Sequence, residues 1–477
     1  MKNNLAEWLY NYKEVSHMST EIKLMKIPVL AKGGTDEKAK AMREAILNAP
    51  DGAITPGNLN YYVSSINGND ENDGLTPETA FKSLDKVQVI VTPQKRVYFE
   101  RGSVFRLKET FNATPATHYG AYGEGPKPQL LGSERDYADS SIWTVHDGDI
   151  WVLDLDADEA CQMNFNYDTY IGVKKHCYDL IQTDGDFYHD TENKKLYFKL
   201  SNGNPGEIFD NIEIATTKII INFGNTNDLK FDNLCLKYPT VHGFSGGNLR
   251  DLVITNCEVS WIGGSYFKNP DHERYGNGLE LWFRAANITV KNCWFNQIYD
   301  AALTFQGYGP GQTEFKEIFF EDNLIEHTSM NFEYWVSHHD KDGNHSSDGI
   351  MHDIRFSGNI LRGAGYGWSG VQRPYKGNQA FLLSWSRVFK SGVMKAFYII
   401  NNIFDCADCS YIYAGLPSEQ EGLYVRRNTY YQKKPTGTHE YTQIIRAQKL
   451  FATNQQEFED AIKLFDCKPD LVKWLED

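Results

Sequence analysis

Apolar and polar positions in the second half of the chain recur in short, similar runs. A strand-like apolar segment closes on an asparagine seven times, in KFDNLCL, VITNCEV, TVKNCWF, FFEDNLI, RFSGNIL, YIINNIF and YVRRNTY. These asparagines are Asn233, Asn256, Asn292, Asn323, Asn359, Asn402 and Asn428, spaced by 23, 36, 31, 36, 43 and 26 residues. A shortest repeat near two dozen residues with variable excess predicts solenoid coils that carry surface loops. Asparagine suits their corners because it tolerates left-handed backbone, and stacked side-chain amides can bond from coil to coil. Cys257 and Cys293 each follow their asparagine directly, which predicts stacked core residues.

A second strand follows each corner, and alternation predicts which side chains it turns outward. In GNGLELWF (276–283), DAALTFQG (300–307) and NFEYWVSH (331–338) the inward set is Leu279, Leu281, Leu303, Phe305, Phe332 and Tyr334. Stacking then aligns Glu280, Thr304 and Glu333 in one outward column, and Trp282, Gln306 and Trp335 in the next. Counting from the asparagines instead sets Glu333 beside Ala302 and Asp300 against Asn331. The hydrophobic register is preferred, with Asp300 kept as a further candidate acid, base or nucleophile.

Elsewhere the period changes. EKAKAMREAILNAP (37–50) has helical spacing, as does NQQEFEDAIKLFD (454–466), for which Asn454 is the expected N-cap. KPDLVKWLED joins the latter in covering the open end of the stack, because an uncovered edge invites aggregation. The block from Tyr61, with VYFERGSVFR (97–106) and HYGAYGEGPKPQLLGS (118–133), resembles the opening coils of pectate-lyase-like, right-handed parallel β-helix proteins. GDFYHDTENKKLYFKLSNGNP (185–205) resembles a hairpin insertion of their glycoside-hydrolase-type members. The resemblance spans roughly 61–432. It implies an all-β, single-stranded right-handed parallel β-helix solenoid with an N-terminal helical extension or cap and a C-terminal helical cap. The expected boundaries are 1–58 for the extension, 59–434 for the solenoid with a hairpin insertion at about 150–215, and 435–477 for the cap.

Composition narrows the partners. A net charge of −15 over 477 residues leaves no electrostatic footprint for nucleic acid, and no run of about 18 apolar residues predicts a membrane span. The start lacks a leader pattern, so the expected location is cytoplasmic. Aromatic residues make up 14% of the chain, with 28 Tyr and 10 Trp. They suit grooves that stack on pyranose rings, and equally a strand-rich core. Eight cysteines in so long a chain are no disulfide framework, and the Cys406–Cys409 pair reads as buried thiols.

Two carboxyl groups across a bond are the machinery of glycosidases. About 5–5.5 Å between them gives retention and about 6.5–9.5 Å gives inversion. Two coil steps separate Glu280 from Glu333, roughly 9.6 Å of backbone. Trp282 and Trp335 would stack on sugar, while Thr304 and Gln306 would bond to hydroxyls. Loops at 268–278 and 337–353 would wall the groove with Arg274, Tyr275, His338 and His339. The histidines are candidate acid/base groups because imidazole titrates near neutral pH. Trp368 and Arg373 in a later coil would extend the groove. DKDGN has alternating oxygens at Asp340, Asp342 and Asn344, a weak calcium pattern without the acidic closing ligand of an EF-hand; otherwise no cofactor is expected. The resemblance implies a glycoside hydrolase acting on a plant or microbial oligo- or polysaccharide. The alternatives are a polysaccharide lyase or uronate epimerase, and a non-catalytic glycan-binding protein.

Overall fold

A computed structural model describes residues 24–52, 59–267, 273–307, 313–336, 349–373, 379–384, 393–434 and 442–476, and the backbone of 338–339 and 345–346. Most strands pair in parallel with the equivalent strand one coil later. Three ladders result, wrapped around one apolar core. The first runs from Val104–Arg106 through Cys235–Lys237, Trp294–Ile298 and Ile360–Arg362 to Leu471–Trp474. The second joins Asn227–Asp232 to the C-terminal halves of His242–Thr255 and Leu279–Lys291. It continues through Glu314–Glu321, Ile350–Ser357, Val393–Ile400 and Leu423–Arg426. The third joins Phe111–Asn112 and Ile219–Gly224 to the N-terminal halves of the same two long strands. It then adds Ala301–Gly307, Met330–Val336, Ala380–Leu383 and Ser410–Tyr413.

The recurring asparagines serve two adjacent columns, a correction to their reading as one. Asn233, Asn256 and Asn292 have left-handed backbone, with φ of 59°, 53° and 53°. In the later coils that position belongs to Asp322, Gly358, Asn401 and Arg427. One residue further on lies a buried ladder of Asn323, Asn359, Asn402 and Asn428. The Oδ1 of Asn359, Asn402 and Asn428 each accepts the backbone N–H of the asparagine before it, at 2.9–3.0 Å, and that of Asn323 accepts the Cys293 N–H at 2.9 Å. Asp466 closes the ladder, accepting from the Asn428 N–H at 3.1 Å. Cys257 and Cys293 occupy the same column in the earlier coils and are fully buried, as expected.

Between Gln129–Leu131 and Ile219–Gly224 the chain leaves the stack and builds a separate small core around Phe165, Phe187, Leu196 and Phe198. The expected hairpin is there: Asp186–Asp190 pairs antiparallel with Lys195–Lys199. At the N-terminus the helix Asp36–Leu47 lies on the first ladder, with Ala39 and Ile46 against Leu324 and Ile360. At the other end, Gln455–Phe465 is helical with the Asn454 side chain accepting from the Glu457 N–H, and it buries Phe458, Ile462 and Phe465. The final segment departs from expectation: Leu471–Trp474 is a strand that pairs with Thr429–Gln432.

Candidate active site

The third ladder carries the candidate residues Glu280, Thr304 and Glu333, and its register is the hydrophobic one. Glu280 pairs with Thr304 and Thr304 with Glu333; Trp282 pairs with Gln306 and Gln306 with Trp335. Leu279, Leu281, Leu303, Phe305, Phe332 and Tyr334 are fully buried on the core side, where Phe332 stacks on Phe356 at 4.6 Å. The asparagine-counted register fails because Ala301 pairs with Met330, so Asp300 falls level with Ser329 and not Asn331.

The outward column is not a solvated face. Glu280 is 5% exposed, Glu333 6% and Thr304 not at all. A buried carboxyl needs partners, and each has them. Gln306 Nε2 donates to both Glu280 oxygens at 2.9 and 3.0 Å, and Asn277 Nδ2 donates to Oε2. Trp335 Nε1 donates to Glu333 Oε1 at 3.1 Å, and the Thr304 hydroxyl lies 3.5 Å from Oε2. Burial raises the Glu280 pKa well above the carboxylate range, and the charges of Glu333 and Asp300 add to the rise. The hydrogen bonds from Gln306 and Asn277 oppose it and do not cancel it.

Asp300 is brought to the same cluster by Arg373, whose Nη1 donates to Asp300 Oδ1 at 2.8 Å and to the Tyr299 carbonyl at 3.1 Å. Burial would lower the Arg373 pKa, but Asp300 and Tyr299 outweigh it and keep the guanidinium charged. Tyr275 is half-buried, and burial raises the pKa of its phenol. Trp282 meets Trp335 edge-on at 6.2 Å, which puts the half-exposed Trp282 ring at the rim and the buried Trp335 ring beneath it.

Two expected groove residues are not in it. Arg274 is buried, donating to the carbonyls of Gly264 at 2.7 Å and Cys161 at 3.2 Å, with its guanidinium over Tyr299 and Trp368. Trp368 is 1% exposed and donates to the Gln297 carbonyl at 2.9 Å. Both are packing residues, drawn inward because a guanidinium and an indole cover each other's flat faces. The backbone at His338–His339 pairs with His345–Ser346, while Asp340, Asp342 and Asn344 lie outside the described residues. Among the described residues, no group of three or more His, Cys, Asp or Glu side chains is placed to hold a metal ion. All eight cysteines are free, and burial pushes the Cys406 thiol far up, which fits an inert thiol.

Asn277 was missed from the sequence. It sits between Gly276 and Gly278, a turn signal that marks it in retrospect. Gly276 has φ of 140°, and a Cβ there would meet the Val241 carbonyl at 2.4 Å. The tight turn sets Asn277 so that Oδ1 accepts from the Ala301 N–H at 2.9 Å and Nδ2 reaches Glu280. Its own N–H donates to His242 Nδ1 at 3.1 Å, a link no spacing foretells.

Neither family models nor curated proteins match this chain. Solved structures give distant similarities. One, described as a glycoside hydrolase, shares 11% identity with a TM-score of 0.42, covering 87% of this chain and 96% of that one. A family 28 exopolygalacturonase from Yersinia enterocolitica shares 11% identity with a TM-score of 0.35, covering 81% and 68%. A hyperthermoactive exopolygalacturonase from Thermotoga maritima shares 8% with a TM-score of 0.35, covering 85% and 93%.

Proposed function

We propose that this protein is a glycoside hydrolase acting on an oligo- or polysaccharide, with Glu280 as general acid and Glu333 as general base. The observation that carries the reading is the buried column Glu280–Thr304–Glu333, in which burial and the neighbouring carboxylates keep a proton on Glu280. A carboxyl that stays protonated can give its proton to a leaving glycosidic oxygen. Glu333 takes a proton from water as the water attacks the anomeric carbon, so bond cleavage leaves two hydroxyl-terminated products. The two strands are two steps of about 4.8 Å apart, at the wide end of the range for inversion. Thr304 fills the step between them. Arg373 holds Asp300 at the edge of the cluster, where its carboxylate bears on Glu280. We also infer that the coils wind right-handedly, as parallel crossovers almost always do, and that the Gln455–Phe465 helix closes the end of a single-stranded β-helix.

A panel of aryl glycosides and plant oligosaccharides, with analysis of reducing-end products, tests the activity. Cleavage that Glu280→Gln and Glu333→Gln each slow by about 100-fold or more is the expected result. Cleavage at an unchanged rate in both variants overturns the assignment. A product carrying an unsaturated uronide would instead identify a lyase. That alternative draws less support, since Arg274 is engaged in packing and Arg373 is committed to Asp300.

A further inference from the structure

The column that holds Glu280 and Glu333 continues in both directions, and its two ends differ. Toward the N-terminus, Glu280 pairs with Ser245, Ser245 with Asn222, and Asn222 with Asn112. These side chains are small and polar, and exposure grows from buried Glu280 to half-buried Ser245 and Asn222 and exposed Asn112. Beside them Gly224 and Gly247 carry no side chain, while Gly246 faces the core, where a Cβ would strike the Phe223 Cβ at 2.7 Å. A Cβ built at Gly224 would meet nothing within 4 Å among the described residues, so the surface at that position is open there. Gly247 has a structural reason as well, since a Cβ there would strike the Trp282 carbonyl at 2.3 Å. Toward the C-terminus, Glu333 pairs with Leu383 and Leu383 with Tyr413. Leu383 is fully buried against Met330 and Tyr413, and Arg446 lies over the Tyr413 ring at 4.4 Å. Among the described residues, the column is polar and increasingly exposed on one side of the carboxyl pair, and filled and apolar on the other.

Resting on the glycosidase reading above, we propose that the leaving chain lies over the N-terminal coils, bound by His242, Ser245, Asn222 and Asn112, and that the protein removes short units from the non-reducing end. The general acid protonates the leaving oxygen, so the leaving chain belongs on the Glu280 side. The ring that is attacked sits toward Glu333, where Leu383 leaves no place for a long chain. One coil step is close to the length of one pyranose unit, so successive coils meet successive sugars. His242 supplies the first contact. Its Nδ1 accepts the Asn277 N–H at 3.1 Å, and burial pushes its pKa down to about 3, so the ring is neutral with its proton on Nε2. That Nε2–H has no partner among the described residues, nor has the Ser245 hydroxyl. Asn222 and Asn112 are joined by a 3.0 Å bond from Asn222 Nδ2 to Asn112 Oδ1, which presets a pair of amides for sugar hydroxyls farther out.

The test takes whichever glycan the panel shows to be cleaved, and compares kcat/KM for an aryl monoglycoside and for homologous chains of increasing length. The expected result is a rise of about tenfold for each of the first added units, with single or very short units released from the non-reducing end of end-labelled chains. Asn222→Trp, checked for an unchanged unfolding midpoint, should collapse the long-to-short ratio about tenfold or more. Products cut at random along the chain, or release from the reducing end, overturn the proposal without any variant. A ratio near one in the unsubstituted protein does so too, as does a ratio that folded Asn222→Trp leaves unchanged. Absence of any cleaved glycan defeats the hydrolase reading and this inference with it, whereas cleavage with the wrong length dependence defeats the inference alone.

Discussion

At Glu280 a carboxyl that water would ionise is held among two amides and two other carboxyl groups, nearly out of solvent. Because its folded pKa is raised above the unfolded value of about 4.3, the folded chain binds the extra proton between those two values. The stability this group contributes is therefore fully present below about pH 4.3 and is lost as pH rises through the raised folded value. Glu280→Gln removes that dependence, so urea midpoints of the variant should fall less between acid and neutral pH than those of the parent. Catalysis has the same sign: kcat should decline as pH rises through the Glu280 pKa. Glu280→Gln should lower kcat by about 10²–10⁴-fold, the usual share of a general acid, measured on a cleaved aryl glycoside. Strand alternation alone made Glu280 and Glu333 legible. Their depth was not, because burial is decided by what covers a strand and not by its own period.

At the level of the corner, two neighbouring columns ask for different properties from the same residue type. The left-handed position needs a residue that tolerates positive φ, and Asn292 there is only half-buried. The ladder position needs an amide: Asn359 accepts from the Asn323 N–H at 2.9 Å and donates to the Phe320 carbonyl at 2.9 Å. Asn292→Gly should accordingly be near neutral, since glycine accepts that φ without steric cost. Asn359→Gly strands two buried backbone groups at about 1–3 kcal/mol each, so its denaturant midpoint should fall by the equivalent of about 2–6 kcal/mol. The sequence repeat exposed the corners but merged the columns, because a one-residue offset is invisible when both positions favour asparagine.

Across the whole molecule, one buried guanidinium ties the N-terminal helix to the solenoid. Arg362 donates to Glu326 at 2.8 Å and Asp405 at 3.2 Å, and also bonds Asp36 at the start of the helix, while Arg43 reaches Glu326 at 2.7 Å. Burial would raise the Glu326 pKa, but His327, Arg43 and Arg362 outweigh it and leave it lowered. Its contribution is thus present above about pH 4.3 and is lost as pH falls through the lowered folded value. Arg362→Ala leaves the buried Asp405 carboxylate without its cation and Glu326 with Arg43 alone, and should cost about 3–5 kcal/mol. Urea unfolding measures the loss, and faster proteolysis near residues 36–47 would locate it. The insertion is tied down separately, by Gln372 Nε2 donating to the Gly172 carbonyl at 2.7 Å, next to the arginine that holds Asp300.

By itself the sequence determined the coil repeat, the face each strand turns outward and the pairing of Glu280 with Thr304 and Glu333. The first follows from the recurring asparagines, and the other two from a side-chain period of two, which a local pattern records in full. Only the tertiary structure decided that this column is buried, that Arg373 reaches Asp300 from 73 residues away, and that Arg274 and Trp368 pack inward. It also decided that exposure grows along the column from Ser245 to Asn112 and that Leu383 is buried. Those outcomes depend on which distant side chains fill the space beside a residue, and no period along the chain encodes that.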